Sequence, residues 1–218
     1  MTVKNHIANS GHKGVRSNKG ARTRERLLVA AVDVFDRDGY VNARVTDVAE
    51  RAKISHGAFY RYFSNKESIL EAILGELEAE FWEESRVRLH PANPKEAILQ
   101  ATAGYFQAFQ RNAVKWRVLV EAAATNRRFL EQWMRTRGRF IERIRARIER
   151  DIEAGTARPV DAGLAASALA AMTEYFAYLW LSLDGDAVRA DFSLDRGMET
   201  VADLWYQALY CKGNLAGD

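Results

Sequence analysis

Residues 46–63, TDVAERAKISHGAFYRYF, read as two short helices joined by a tight turn. Val48, Ala49 and Ala52 recur at three- and four-residue spacing, which lays one apolar stripe along a helix that Thr46 can N-cap with its hydroxyl. The break falls at Lys53-Ile54-Ser55, and Ser55 is a second N-cap candidate. The helix it starts carries Phe59 and Phe63 at i, i+4 on its inner face, with His56, Gly57, Ala58, Tyr60, Arg61 and Tyr62 largely outward. This is the pattern of a helix-turn-helix, a device for laying its second helix in the major groove of DNA.

An outer face that only had to be soluble would carry Glu, Lys and Gln rather than two tyrosines. As DNA contacts these residues make chemical sense. Phenolic hydroxyls donate to phosphate oxygens, Arg61 reaches a phosphate or a guanine edge, and Gly57 and Ala58 let the backbone come close to the bases. The competing reading has both tyrosines covering the edge of the core. Arg44 and Lys66 flank the motif as further phosphate candidates. The expected DNA contacts are therefore Arg44, Thr46, Ser55, His56, Gly57, Ala58, Tyr60, Arg61, Tyr62 and Lys66.

Thr46-Asp47-Val48-Ala49, then Ile54 through Phe63, then Lys66-Glu67 and Leu70 resemble the DNA-binding domain of the TetR family of bacterial transcriptional repressors. The resemblance covers about Arg22 to Leu74. It implies a homodimeric, all-helical repressor with a small-molecule pocket in its C-terminal domain. Within that family the aromatic-rich body is most similar to regulators with a long hydrophobic pocket, the ethionamide-resistance type.

Composition agrees with an all-α fold. Of the 218 residues 48% are apolar, enough for a substantial core, and only Pro91, Pro94 and Pro159 interrupt runs rich in Ala, Glu, Arg and Leu. Cys211 stands alone, so no internal disulfide is possible, and the N-terminus lacks an apolar leader, so a cytoplasmic location is expected. The net charge of +3 is unevenly spread. Met1 to Lys66 holds thirteen Lys and Arg against six Asp and Glu, which concentrates positive charge where DNA would lie.

Three segments follow: an unstructured basic arm over 1–20, the helix-turn-helix domain over 21–66, and a ligand-binding and dimerisation domain over 67–218. From Arg22 a helix with Leu27, Leu28, Ala31, Val34 and Phe35 inward ends at Asp38, with Gly39 as left-handed C-cap. Ser64 and Glu67 form a capping box that opens a fourth helix running to about Leu89. Asn93-Pro94 opens the next, and further helices are expected over Ala113–Ala124, Arg127–Ala154, Val160–Leu183 and Leu194–Lys212. The second of those carries Glu142, Arg143, Arg145, Arg147, Glu149 and Arg150 as a solvated face laced with ion pairs. The third is long and apolar enough to span a bilayer, but Glu174 at its middle and its alanine-rich first half favour a buried central helix instead, one that with the C-terminal helix could form a dimer interface.

The four histidines have no metal-ligand spacing, and there is no phosphate loop, nucleophile elbow or paired carboxylate, so neither a cofactor, a metal nor catalysis is expected. All five tryptophans lie after Lys66. Tyr105, Phe106, Phe109, Trp116, Trp133, Met172, Glu174, Tyr175, Tyr178 and Trp205 are the expected lining of a cavity for a small apolar effector, with Glu174 orienting it or pairing with an arginine across the dimer. The whole reads as a ligand-responsive repressor of a palindromic operator. The alternative is a helical small-molecule-binding protein or enzyme without a DNA role.

Overall fold

The computed structural model describes residues 12–84, 93–183, 185 and 193–211. Among them are nine helices and no strand: α1 His12–Asp38, α2 Val45–Arg51, α3 His56–Phe59, α4 Lys66–Glu84, α5 Pro94–Arg111, α6 Ala113–Thr125, α7 Arg127–Glu153, α8 Ala162–Ser182 and α9 Leu194–Tyr210. The chain divides into two compact units inside α4, the first ending at Ile73 and the second beginning at Leu74. We call them the head and the body. The sequence puts this boundary at Lys66.

In the head, Leu27, Leu28, Ala31, Val34 and Phe35 of α1 are buried with Val48, Ala49, Phe59, Phe63, Ile69, Leu70 and Ile73. Helix α1 begins at His12 rather than Arg22, so 12–20 are helical where an unstructured arm is expected. Once the Leu27–Phe35 stripe has offset the nucleation cost, each added residue gains one backbone bond for one residue fixed. Residues 1–11 lie outside the described residues. Gly39 takes φ 76 after Asp38, the left-handed conformation expected there.

Two caps differ from expectation by one or two residues. Arg44, not Thr46, is the N-cap of α2, because its backbone is the extended one (φ −115, ψ 149) and its carbonyl accepts from Asp47 and Val48 at 3.1 and 3.3 Å. The Thr46 hydroxyl, already inside the helix, donates to Asp47 Oδ1 at 3.3 Å. At α4 the capping box is Asn65 with Ser68, not Ser64 with Glu67. Asn65 Oδ1 accepts the Ser68 N–H at 2.8 Å and Ser68 Oγ accepts the Asn65 N–H at 3.2 Å, a reciprocal pair that short side chains close well. The segment 85–92, where α4 is expected to end, is outside the described residues.

Body helices start on the residues that can cap them. Asn93 accepts from Glu96 N–H at 3.3 Å ahead of Pro94, Asn126 from Arg128 at 3.0 Å, Asp161 from Leu164 at 2.9 Å and Ser193 from Arg196 at 3.2 Å. Helix α5 packs along α9, and α7 packs against α6 and α8. Phe106, Phe109, Val118, Leu119, Phe129 and Val201 are buried between them. A further cluster joins Ile148 to Ala162, Ala166 and Leu209.

Helix α8 is not the fully buried helix its composition suggests. Ala162, Ala166, Ala170, Thr173 and Ala177 form a buried face of small residues that lets its neighbours approach closely. Leu164 and Tyr175 are 71% and 64% exposed, and with the exposed Ala168 and Ala171 they make an uncovered apolar stripe at four- and three-residue spacing. Among the described residues α8 is the one helix long and apolar enough to cross a membrane, and 22% of that apolar window is buried.

Candidate nucleic-acid interface and apolar cavity

The turn between α2 and α3 sets the reading surface. Lys53 has φ 54, and its N–H reaches the Glu50 carbonyl at 2.9 Å while that of Ile54 reaches Ala49 at 3.0 Å, the two bonds of a Schellman C-cap with lysine where glycine is usual. Ser55 then caps α3 as expected, its Oγ accepting the Ala58 N–H at 3.2 Å. Helix α3 is shorter than the sequence suggests. It continues past Phe59 through tighter bonds, Arg61 to Ala58 at 3.3 Å and Tyr62 to Phe59 at 2.9 Å.

Arg44, Thr46, Ser55, His56, Gly57, Tyr60 and Arg61 are exposed or nearly so, and Ala58, Tyr62 and Lys66 half-buried. Tyr60, 51% exposed, is braced by the His56 ring, edge to face with centroids 5.1 Å apart, and by the buried Phe59 at 5.5 Å. A Cβ added at Gly57 would meet nothing within 4 Å, so no neighbour inside the head requires glycine there. Other cations are committed to the fold. Arg26 donates to the Ala52 carbonyl at the end of α2 at 2.7 Å, Arg24 lies 5.4 Å from the Phe63 ring centre, and Arg51 pairs with Asp33 at 2.6 Å. Arg44, Lys53 and Arg61 are exposed and make no ion pair among the described residues.

Lys66 differs from the expectation of a phosphate contact. Its ammonium donates to the carbonyls of Tyr40 and Val41 at 2.7 and 2.9 Å and sits 4.6 Å from the Tyr40 ring centre, fastening the α1–α2 loop to the first turn of α4. Two of its three donors are thereby occupied.

The body holds a cavity of about 460 Å³ between α4, α5, α6, α7, α8 and α9. Five of the expected residues line it: Tyr105, Trp116, Trp133, Glu174 and Trp205. The other five do not. Phe106 and Phe109 are buried in the packing, Phe106 against Phe176 and Phe109 stacked on Trp116 at 5.0 Å. Tyr175 stands on the uncovered face of α8 beside Tyr178, ring centres 6.5 Å apart, and Met172 is likewise absent from the wall. Helical phase decides this, since on α8 the wall residues Ala170, Thr173 and Glu174 recur at i, i+3, i+4. The sequence reading missed Leu74, Leu77 and Phe81 of α4, Ile98, Ala101 and Thr102 of α5, and Phe140 and Ile144 of α7. Their helical periodicity is visible in the sequence, but an inward stripe does not say whether core or cavity lies opposite.

Glu174 pairs with Arg137 of its own chain at 2.7 Å, and Arg137 also donates to the Ser167 carbonyl at 3.3 Å. Burial raises the Glu174 carboxyl above its ordinary range, outweighing the opposing pull of Arg137. Burial, with Glu174 adding to it, pushes the Tyr105 phenol well above its ordinary value. The Tyr105 hydroxyl and Trp116 Nε1 are buried with no hydrogen-bond partner among the described residues. The expected solvated face of α7 holds only in part. Arg145 pairs with Glu142 and Glu149 on the surface, whereas Arg143, Arg147 and Arg150 line the cavity.

A helix-turn-helix head joined to an all-helical body with a cavity is the architecture of a DNA-binding transcriptional regulator. The chain belongs to the TetR family: residues 27–73 match the family described as bacterial regulatory proteins, tetR family, and residues 98–211 match the C-terminal domain of the transcriptional regulator EthR. It is 32% identical over 100 residues to the transcriptional repressor NicS of Pseudomonas putida, covering 45% of this chain and 47% of that protein. It is 28% identical over 133 residues to the regulator EthR of Mycolicibacterium smegmatis, covering 60% and 61%. The chain thus spans about half the length of the curated relatives it matches. Among solved structures, the TetR family regulator PfmR of Thermus thermophilus superposes with a TM-score of 0.71 at 24% identity, covering 87% of this chain and 98% of that one. A tetR-family regulatory protein from Rhodococcus RHA1 gives 0.72 at 20%, covering 88% and 98%. At that identity both likenesses speak to the fold. The family is one of transcriptional regulators rather than enzymes.

Proposed function

We propose that this protein is a ligand-responsive repressor that binds a palindromic operator as a homodimer, one α3 per half-site, and is released by a small, largely apolar effector. The observation that carries the reading is the set of exposed groups on a braced α3, with Tyr60, Arg61 and an open Gly57 on one surface and Arg44 nearby in sequence at the start of α2. Tyr60, Tyr62 and Arg44 hold phosphates; His56, Gly57 and Arg61 lie nearest base edges; Thr46, Ser55 and Ala58 border the backbone. Lys66 contributes its third donor. A chromosomal operator makes the cytoplasm the site of action.

The stripe Leu164, Ala168, Ala171, Tyr175 on α8, with the exposed Leu204 of α9, supports self-association through these two helices. A cavity of about 460 Å³ falls in the range of small-molecule sites and supports an effector. Helix α4 supports the link between the two activities: Ile69, Leu70 and Ile73 are buried in the head, and Leu74, Leu77 and Phe81 line the cavity on the same continuous helix. Recognition helices must sit about 34 Å apart to enter successive major grooves, so a small displacement of α4 prevents both from engaging.

The test is to pull down genomic fragments with the protein, sequence them, and titrate the enriched fragment by anisotropy. Enrichment of a palindrome bound by a dimer is expected. Absence of any sequence-selective binding would leave the small-molecule-binding alternative.

A further inference from the structure

Two residues of the cavity wall carry buried hydrogen-bond donors with no partner among the described residues: the Tyr105 hydroxyl of α5 and the Trp116 indole N–H of α6. Other polar groups on the same wall are engaged. Glu174 takes Arg137 at 2.7 Å, the Trp205 indole N–H reaches the Thr173 hydroxyl at 2.8 Å, and Thr136 donates to Glu78 at 3.0 Å. Buried donors in folded proteins are nearly always paired, and one left bare costs the desolvation of a polar group. Two of them on one wall point to a ligand that supplies the acceptor.

The two rings share their neighbours. Phe81 of α4, itself in the wall, meets each of them edge to face with ring centres 5.4 Å apart. Phe109 lies 6.1 Å from Tyr105 and stacks on Trp116 at 5.0 Å. The donors thus belong to one aromatic corner, contributed by α4, α5 and α6. Their chemistry fixes the sign of the complement, because an indole N–H only donates. A carbonyl oxygen offers two lone pairs and no proton of its own, whereas a ligand hydroxyl would bring a proton that needs a further acceptor in the same apolar corner. A carboxylate is disfavoured, since the charge of Arg137 is already taken by Glu174, whose own charge reaches Tyr105 and pushes its phenol further up.

We propose that the cavity takes a neutral, mainly apolar carbonyl compound, a ketone or an ester, its oxygen accepting from Trp116 Nε1 and the Tyr105 hydroxyl and its hydrocarbon part lying among Leu77, Ile98, Trp133 and Phe140. This rests on the reading of the cavity as the effector site and names the chemical class of the effector. Both polar atoms are covered by protein, so seating the oxygen requires these side chains to turn toward it, and Trp116 emission should change as they do.

The test uses the full chain with methyl heptyl ketone and its methylene analogue, in which C=CH2 replaces C=O at nearly the same shape, and with octanoate as a charged acceptor. Emission of Trp133 and Trp205, present in every variant, reports binding. The quantity read is the ratio of ketone to alkene affinity, because the differing hydration of the two probes is the same for every variant. That ratio should fall about tenfold in Tyr105→Phe/Trp116→Phe and roughly threefold in Tyr105→Phe alone, with alkene affinity unchanged. Ligand-free Tyr105→Phe should keep or raise the wild-type melting temperature, because it deletes a hydroxyl that has no partner among the described residues. An unchanged ratio in both variants, or a lowered melting temperature for ligand-free Tyr105→Phe, would overturn the assignment to these donors and leave the cavity reading standing. A larger loss for octanoate than for the ketone across the variants would overturn the neutral class. If no probe moves emission or melting temperature, the cavity reading itself fails.

Discussion

Head and body use arginine in opposite ways. In the head all five of these arginines are exposed, but Arg24, Arg26 and Arg51 are engaged by Phe63, the Ala52 carbonyl and Asp33, while Arg44 and Arg61 make no ion pair among the described residues. On the proposed DNA-binding role, architecture and partner binding fall largely to different side chains, with Lys66 shared between them. In the body, Arg137 and Arg143 do both at once, since Arg137 ties α7 to Glu174 of α8, Arg143 lies over Trp82 of α4, and both line the cavity. Stability and binding are therefore separable in the head and coupled in the body.

The largest effect expected is from Phe59→Ala, which empties a fully buried site and should cost the head about 3–5 kcal/mol. Because the first tryptophan is Trp82, emission reports the body, and its urea transition should stay near the wild-type midpoint while head-reporting amide exchange accelerates. A matching loss in both would break the division into two units.

Lys66→Met should lower head stability by about 1–3 kcal/mol, because it removes the charged donor that ties the Tyr40 and Val41 carbonyls to α4. Arg61→Gln should do the reverse, leaving the melting temperature alone while weakening operator binding by about 1–3 kcal/mol and relaxing the preference for the base it meets. If Arg61→Gln destabilises instead, the separation drawn for the head is wrong.

At Gly57 the expected change is smaller and runs both ways. Gly57→Ala should raise stability by up to about 1 kcal/mol, since the added Cβ meets nothing and alanine favours helix, while weakening operator binding because the methyl stands where the bases approach. An unchanged operator affinity would move the base edges away from α3.

The smallest effect concerns Glu174. Its carboxyl is raised by burial, so the folded state favours the protonated form; the stability this gives is complete below the ordinary carboxylate range and is lost as pH rises through the raised value. The stability of the wild type relative to Glu174→Gln should therefore fall as pH rises across that interval. Urea midpoints of both proteins against pH would show it, and a constant difference would uncouple Glu174 from the folded state.

Sequence alone determined the helices and the reading motif. Apolar spacing, Gly39 at φ 76, Ser55 on the Ala58 N–H and the Asn93-Pro94 start are local chemistry, decided within four residues, and the motif of α2 and α3 is short enough to be written in such terms. Even there, Thr46 and Ser64 were each displaced as caps, because several neighbouring hydroxyl and amide side chains could cap and only the backbone angles of Arg44 and the pairing of Asn65 with Ser68 chose among them. The destination of Lys66 was out of reach, since its acceptors Tyr40 and Val41 lie a whole helix-turn-helix away in sequence. So was the division of the aromatics: Tyr105 and Trp116 face a cavity and Phe106 a packed interior, although all three sit on inward helical faces. Which inward face meets matter and which meets space depends on how six helices from distant parts of the chain close around one another, and only the tertiary structure holds that information.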